Sequence, residues 1–418
     1  MNVFFSGIGG VAIGPLAEIA KALGHSVTGT DAADGTMVRQ LRDHDIAVEI
    51  SEDDEYLRLT HAARPIDWLV YTSALPDDHP ELVAARELGI RTSKRDELLA
   101  AIIAEKGLKL IAVAGTHGKT TTTGMLIWAM KQLGVPVSYS IGTTIGFGPS
   151  GHYDPASEYF VYECDEFDRN FLHFKPHLSI ITSIGYDHSD TYPTKDDYAA
   201  AFRQFISQSG FTILWQHDGD AVGASPADAW CIQDSELADL TLPGAHNRRN
   251  ATLVLKAIER LGIGDVSDTR QVLESFPGTN RRFEKLADNL YSDYGHHPTE
   301  IAVTLQMARE LSDHVVLVYQ PHQNVRQYEV RALYGNCFKE AEKVYWLPTY
   351  LSREDPNLAI LSAAELSAPV ADRQSVQIAE MDDELWTAME LHREAGDLVL
   401  CMGAGSIDGW VRSRLDGA

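Results

Sequence analysis

A glycine-rich segment with the composition of a phosphate-binding loop is the strongest chemical signal in the sequence. It reads AVAGTHGKTTTT from residue 112 to 123, follows the apolar run KLIAVAG and precedes the helical pattern GMLIWAMKQL. Glycine amides at a helix N-terminus can cradle phosphates, Lys119 can reach a transferred phosphoryl group, and the Thr120 hydroxyl can coordinate Mg²⁺. The standard loop has glycine where this chain has Val113, so the pattern is GTxGKT.

Two acidic or histidine-containing segments follow predicted strands and could supply metal ligands. YFVYECDEFDRNF places Glu163 at the end of one strand, followed by Asp165, Glu166 and Asp168, and SIITSIGYDHSDTY places His188 just after another. Both strands would deliver side chains to the carboxyl edge of a parallel sheet, where ligands bind. We predict a metal site there, and the sequence leaves the roles of the three later carboxylates open.

The N-terminus carries a second glycine turn between a strand and a helix. NVFFSG runs into Gly7, Gly9 and Gly10, and Gly7-x-Gly9-x-x-Ala12 satisfies the dinucleotide-binding fingerprint. Asp31 ends the next strand, SVTGTD, where an acid that binds a ribose would sit. Glycines in such turns also serve close packing between strand and helix. The turn therefore predicts either a nucleotide site or a packing device.

These segments lie in a chain with an α/β pattern. Short β-branched runs alternate with helical periodicity throughout, as in HVVLVYQ and AGDLVLCMGAG. At 418 residues the chain is long enough for several domains, and its two glycine turns are far enough apart to open separate ones. Pro277 and Gly278 stop a helix in FPGTNRR. We predict domains at 1–100, 101–278 and 279–418.

Composition excludes several functional classes. The chain has 35 basic and 60 acidic residues, a formal charge of -25, which opposes binding to a nucleic acid. Its 4 cysteines show no CxxC spacing, so neither a disulfide framework nor a zinc site is expected. No signal peptide and no apolar run of about 18 residues is apparent. A cytoplasmic protein without a membrane partner is predicted, and its oligomeric state is left open.

Seven segments together resemble the Mur ligases, the amide ligases of peptidoglycan synthesis. In chain order they are GTHGKTTTT, ECDEFD, GYDHSDTY, PGAHNRRNA, NRRFE, YSDYGHHPTE and YQPH, and the resemblance covers essentially the whole chain. It implies three domains. These are a Rossmann-like N-terminal domain that binds the UDP end of the substrate, a central P-loop ATPase domain, and a C-terminal Rossmann-like domain that brings the incoming amino acid.

The resemblance also implies how ATP and Mg²⁺ are bound. His246, Asn247 and Asn250 resemble the family's adenine-side motif, Arg282 the arginine that approaches the ATP phosphates, and Asp293 the residue that meets the ribose. The implied ATP-binding residues are Gly115, Thr116, Gly118, Lys119, Thr120, Thr121, His246, Asn247, Asn250, Arg282 and Asp293. The implied metal ligands are Thr120, Glu163 and His188, with Glu163 at a first metal ion and His188 at a second. The implied catalytic residues are Lys119, His188, Arg282 and His296.

The start GIGG and the segment DYGHHPTEI are most similar to members that add L-alanine, or another small amino acid, to the lactyl carboxylate of UDP-N-acetylmuramate through an acyl phosphate. The implied substrate residues are Gly7, Gly9, Gly10, Asp31, Ser73, His117, Tyr294, His296, His322 and Arg326. His296 or His322 would act as the base. The chain has Gln323 where relatives carry an arginine after QPH, which leaves the acceptor amino acid less certain than the reaction.

Alternative functions stay open at this point. Among ligases, a recycling ligase that attaches a tripeptide to UDP-N-acetylmuramate shares the glycine start and the HHPT element but resembles this chain less at QPHQNVRQ. Folylpolyglutamate synthase, a relative of the Mur ligases, shares the loop chemistry without such a UDP domain. A nicotinamide-dependent oxidoreductase would use Gly7, Gly9, Ala12 and Asp31 but would give the phosphate loop no role. A non-catalytic ATP-binding module is the remaining alternative.

Overall fold

A computed structural model describes residues 1–10, 12–72, 75–187, 191–352 and 354–416, so the predicted site residues Ser73 and His188 lie outside the described residues. The chain divides into two compact units. The first comprises Met1–Leu237 with Asn250–Phe276, and the second comprises Ala238–Arg249 with Pro277–Ala418. Two sheets lie in the first unit and a third lies in the second.

The N-terminal sheet is parallel, with strand order β3-β2-β1-β4-β5. Its strands are β1 Asn2–Ser6, β2 Ser26–Asp31, β3 Ala47–Ile50, β4 Trp68–Tyr71 and β5 Arg91–Lys94. Its helices are α1 Gly14–Ala22, α2 Thr36–Asp43, α3 Glu55–Ala63, α4 Pro80–Glu87 and α5 Arg95–Lys106. Strand β1 is buried from Val3 onward, as expected for a central parallel strand covered on both faces.

The central sheet has strand order β12-β11-β10-β6-β9-β7-β8 and is parallel except for β8, which pairs antiparallel with β7. Its strands are β6 Lys109–Ala114, β7 Val137–Ser140, β8 Gly151–His152, β9 Tyr159–Glu163, β10 Leu178–Ile181, β11 Thr212–Trp215 and β12 Ala229–Ile232. The helices are α6 Lys119–Gln132, α7 Lys195–Gln208, α8 Gln216–Val222, α9 Ala245–Leu261 and α10 Val266–Glu274. Neighbours β9, β6 and β10 all end at one edge.

The third sheet has strand order β13-β14-β18-β15-β16-β17, and only the pair of β13 with β14 is antiparallel. Its strands are β13 Glu284–Ala287, β14 Leu290–Asp293, β15 Val315–Tyr319, β16 Lys343–Trp346, β17 Val376–Ile378 and β18 Leu398–Met402. The helices are α11 Pro298–Leu311, α12 Asn324–Val330, α13 Ala363–Ser367, α14 Asp383–Ala395 and α15 Ile407–Asp416. A capping box of His297 and Glu300 begins α11.

Three α/β domains with parallel, Rossmann-like sheets confirm the predicted fold class. The boundaries at residues 100 and 278 stay predictions. Among the described residues, no helix combines the length and the apolar character needed to cross a membrane.

Candidate active site

The phosphate loop joins the end of β6 to the start of α6 along a path that requires glycine. Gly118 has a φ of +86° and precedes α6 without a side chain that could cap the helix. A Cβ on Gly118 would lie 2.9 Å from Asn250 Oδ1, and one on Gly115, at φ +130°, would lie 2.8 Å from the Ser183 carbonyl oxygen. Both positions therefore require glycine, and the loop leads into the uncapped N-terminus of α6, a place where backbone amides can bind a nucleotide phosphate.

Other predicted loop residues connect this turn to the neighbouring strand. The Thr116 amide donates to the Ser183 carbonyl at 3.0 Å, and the His117 amide donates to Ser183 Oγ at 3.0 Å. Thr121 lies in the first turn of α6. The loop is thus fixed by the segment after β10.

Lys119 lies with its ammonium folded back onto the loop. Nζ donates to the Gly115 carbonyl at 2.6 Å and to Glu166 Oε2 at 2.7 Å. Its side chain is 16% exposed, whereas that of Glu166 is completely buried. Burial alone would lower the pKa of Lys119, but the carboxylate of Glu166, helped by Asp165 and Glu163, outweighs burial and raises it. The lysine therefore carries its positive charge at neutral pH.

Two predicted metal ligands meet at the same edge. Thr120 Oγ1 donates to Glu163 Oε1 at 2.7 Å, and the Gly142 amide donates to Glu163 Oε2 at 2.8 Å. A hydroxyl and a carboxylate are the hard oxygen ligands that Mg²⁺ prefers. The donor set therefore fits Mg²⁺, with His188 outside the described residues.

The other carboxylates of the acidic segment have separate environments. Asp165 Oδ1 accepts a bond from the Phe167 amide at 3.1 Å. Asp168, 42% exposed and at φ +53°, pairs with Lys94 at the end of β5. Among these three later residues, only Glu166 is shown bonded to the phosphate-loop lysine.

The predicted adenine-side residues are divided between the two compact units. Asn250 belongs to the first, where it is buried against Gly118. His246 and Asn247 belong to the second, where Asn247 Nδ2 donates to the Pro243 carbonyl at 3.0 Å. Burial, with a smaller contribution from Arg248, lowers the pKa of His246 to about 4, although Glu310 opposes the shift.

The neutral state of His246 predicts acid sensitivity. The pKa of His246 is about 4 in the fold against 6.5 for an ordinary histidine, so the unfolded chain binds more protons between these values. The free energy of unfolding should therefore fall as pH drops from 6.5 towards 4. Thermal unfolding midpoints at pH 7 and pH 5 should show a smaller acid loss in His246→Gln than in the wild type.

A second histidine provides the matched control. Glu342 raises the pKa of the exposed His314, which gives its contribution to stability the opposite dependence on pH. His314→Gln should therefore not lessen the acid loss. An equal acid loss in wild type and His246→Gln would contradict the assignment.

Four predicted acceptor residues form one cluster in the second unit. Arg326 Nη1 lies 3.0 Å from His296 Nε2, and the His296 ring lies 5.4 Å from the ring of His322 and 5.7 Å from that of Tyr294. Burial lowers the pKa of His296, although Glu300 opposes this, and burial lowers that of His322 to about 4. Both imidazoles are neutral at pH 7, and since a guanidinium can only donate, His296 Nε2 accepts from Arg326.

Asp293 and Arg282 border this cluster. The Arg282 guanidinium lies 5.3 Å from the centre of the Tyr294 ring. Asp293 is buried, its Oδ2 accepts from the Phe283 amide at 2.8 Å, and its Oδ1 accepts from the Gly295 amide at 2.7 Å. Burial raises its pKa to about 6 although Arg282 opposes the shift. Asp293 therefore shapes the loop, and its contact with a ribose stays a prediction.

The N-terminal glycine turn is held in the same way. Asp31 Oδ2 accepts from the Gly9 amide at 2.8 Å, Gly7 donates to the Thr30 carbonyl at 2.9 Å, and Gly10 donates to Gly7 at 3.2 Å. A Cβ on Gly9 would lie 2.9 Å from Asp31 Oδ2. The packing role of the turn is thus present, and its role in binding UDP stays a prediction.

A buried carboxylate beneath this turn was missed in the sequence. Glu81, 1% exposed, accepts hydrogen bonds from Ser6 and, at 2.7 Å, from Thr30 Oγ1, and burial raises its pKa. Its position directly after Pro80 at a helix start was the available signal.

Three mainly parallel sheets, with a phosphate loop at the carboxyl edge of the second, define a nucleotide-binding α/β enzyme. The sequence matches the Mur ligase family catalytic domain over residues 2–106, the Mur ligase middle domain over 113–228, and the Mur ligase glutamate ligase domain over 281–405. The chain belongs to the Mur ligase family, whose members are ATP-dependent amide ligases.

The similarity to known proteins, in sequence and in structure, extends over nearly the whole chain. It is 34% identical to a UDP-N-acetylmuramate–L-alanine ligase of Nocardioides sp. and 33% identical to one of Kineococcus radiotolerans, each covering 97% of this chain and 94% of the relative. The crystal structure of a UDP-N-acetylmuramate-alanine ligase from Thermotoga maritima has a TM-score of 0.81 at 23% identity, covering 100% of this chain and 99% of its own. A murein peptide ligase from Psychrobacter arcticus has a TM-score of 0.67 at 24% identity, covering 100% and 98%.

Proposed function

We propose that the protein joins L-alanine to the lactyl carboxylate of UDP-N-acetylmuramate, with hydrolysis of ATP, in peptidoglycan precursor synthesis. The observation that carries this proposal is similarity along nearly the full length, at 31–34% identity, to relatives named for that reaction. The phosphate loop with Lys119 at the start of α6 supports the use of ATP. The reaction is assigned to the cytoplasm.

Activation of the substrate carboxylate accounts for the residues of the phosphate loop and for Glu163. Bound ATP supplies the phosphoryl group that turns an unreactive carboxylate into an acyl phosphate, from which an amine can displace phosphate. The amides of the loop bind phosphate oxygens, and the ammonium of Lys119 neutralises charge that develops on them. Thr120 and Glu163 would hold Mg²⁺.

The amino acid must lose a proton before its amine can attack. An amino group with a pKa of roughly 8 or above is mostly protonated at neutral pH, so a base has to accept a proton. His296 and His322 are both neutral because burial lowers their pKa, and they lie side by side. We assign the base to this pair, with Arg326 as the cation that attracts the carboxylate of the acceptor.

A tripeptide acceptor is the second candidate. It stays open because the recycling ligase shares the glycine start and the HHPT element, and because Gln323 leaves the acceptor amino acid undecided. Both candidates share the UDP-sugar and the nucleotide, so only the acceptor separates them.

The deciding experiment measures phosphate release from ATP with Mg²⁺ and UDP-N-acetylmuramate, with L-alanine, glycine, L-serine or a tripeptide as acceptor. We expect release that requires both the UDP-sugar and L-alanine. Dependence on the tripeptide instead would establish the second candidate. Release that ignores the UDP-sugar would overturn both.

A further inference from the structure

The Lys119 ammonium directs its hydrogen bonds at the protein itself, two of them short and a third at the limit of bonding distance. An ammonium has three N–H donors. Its Nζ lies 2.6 Å from the Gly115 carbonyl, 2.7 Å from Glu166 Oε2 and 3.5 Å from the Thr116 carbonyl. A phosphate that approaches Lys119 therefore competes with these partners, above all with the Gly115 carbonyl and Glu166.

Glu166 is held too firmly to follow the lysine. Its backbone carbonyl accepts from the Tyr192 hydroxyl at 2.6 Å and from the Arg169 amide at 3.1 Å. The Tyr192 ring packs edge-on against that of Tyr198 at 4.9 Å, and the Tyr198 hydroxyl lies 3.4 Å from Glu166 Oε1. The Glu166 carboxylate is completely buried next to these two tyrosines. The flexible lysine is thus the partner that must move.

We propose that Glu166 is a positioning residue that competes with the nucleotide phosphates for Lys119. In the free enzyme its carboxylate keeps the ammonium on the loop, and a bound β- or γ-phosphate has to draw the ammonium away. The resident carboxylate weakens nucleotide binding by this competition and by like-charge repulsion, and it receives the lysine again when the nucleotide leaves. This inference rests on the proposed ATP site and adds a control on its affinity.

The test compares ATP with AMP, which lacks the phosphates that would reach Lys119. Glu166→Gln keeps the shape of the side chain and removes its charge. Titration calorimetry with Mg²⁺ should show ATP binding to this variant about 5- to 50-fold more tightly than to the wild type, as expected for loss of a competing charged hydrogen bond. AMP affinity should stay unchanged. An equal change in the affinity for both nucleotides would reflect altered packing and would contradict the proposal.

Two further variants keep the test decisive. Glu166→Asp draws the carboxylate back by one methylene and should shift the ATP-to-AMP preference in the same direction by a smaller factor, which covers the case that Glu166→Gln does not fold. Asp168→Asn removes a charge of the same segment that pairs with Lys94, and it should leave the preference unchanged. If the wild type binds ATP and the Glu166 variants keep its ATP-to-AMP preference, this inference is wrong and the proposed function is not affected. A wild type that binds no ATP overturns the proposed function with it.

Discussion

Lys119→Ala is expected to lower turnover by about 100-fold or more, the usual cost of removing a group that stabilises charge in a transition state. The ammonium lies at the start of α6, on the loop whose amides face the proposed phosphate site, and carries its charge at neutral pH. The measurement is the steady-state rate of phosphate release at saturating ATP, UDP-N-acetylmuramate and amino acid.

Loss of folding has to be separated from loss of catalysis in this experiment. Lys119→Ala leaves the buried Glu166 carboxylate without its cation, and breaking a buried ion pair typically costs about 3–5 kcal/mol of stability. The double variant Lys119→Met with Glu166→Gln removes both charges and should fold while staying inactive. Lys109→Ala removes an exposed lysine paired with Glu158 and should keep full turnover. Turnover of Lys119→Ala within about threefold of the wild type would remove Lys119 from the mechanism.

Glu163→Gln has the second largest expected effect. Glu163 presents one oxygen to the Thr120 hydroxyl and the other to the Gly142 amide. The uncharged side-chain amide of glutamine would bind Mg²⁺ at this position more weakly than the carboxylate does. We expect the Mg²⁺ concentration for half-maximal turnover to rise at least about tenfold, as for other changes at metal sites. A magnesium titration of phosphate release measures this shift.

The control for this variant is Glu158→Gln, just before β9, because Glu158 is exposed and paired with Lys109. Its magnesium dependence should match the wild type. If Glu163→Gln required no more Mg²⁺ than the control, the metal ligand would have to be sought elsewhere.

The phosphate loop and the parallel sheets could be predicted because their signals are local. Gly115, Gly118 and Lys119 lie within five positions of one another, between a strand and a helix that show the required periodicity. The meeting of Thr120 with Glu163 also followed from the sequence, since the ends of parallel strands share one edge.

The partners of buried carboxylates could not be predicted in this way. Glu166, Asp165 and Asp168 look alike in the sequence, yet one is completely buried against Lys119 and another is half-exposed beside Lys94. Which carboxylate turns inward depends on left-handed backbone at Asp168 and Arg169 and on aromatic rings about thirty positions away. Such long-range packing leaves no local pattern to read.

The bonds of Asp31 and Asp293 have a consequence for how this protein can evolve. Each aspartate uses both carboxylate oxygens to accept backbone amides, one of them from a glycine in a turn, at Gly9 and Gly295. Replacement by asparagine would leave a single carbonyl oxygen as acceptor. A homologue that no longer bound these ligands would therefore still keep both aspartates as long as it kept the fold. Their conservation in such a homologue would reflect the structure of the turns and not ligand binding.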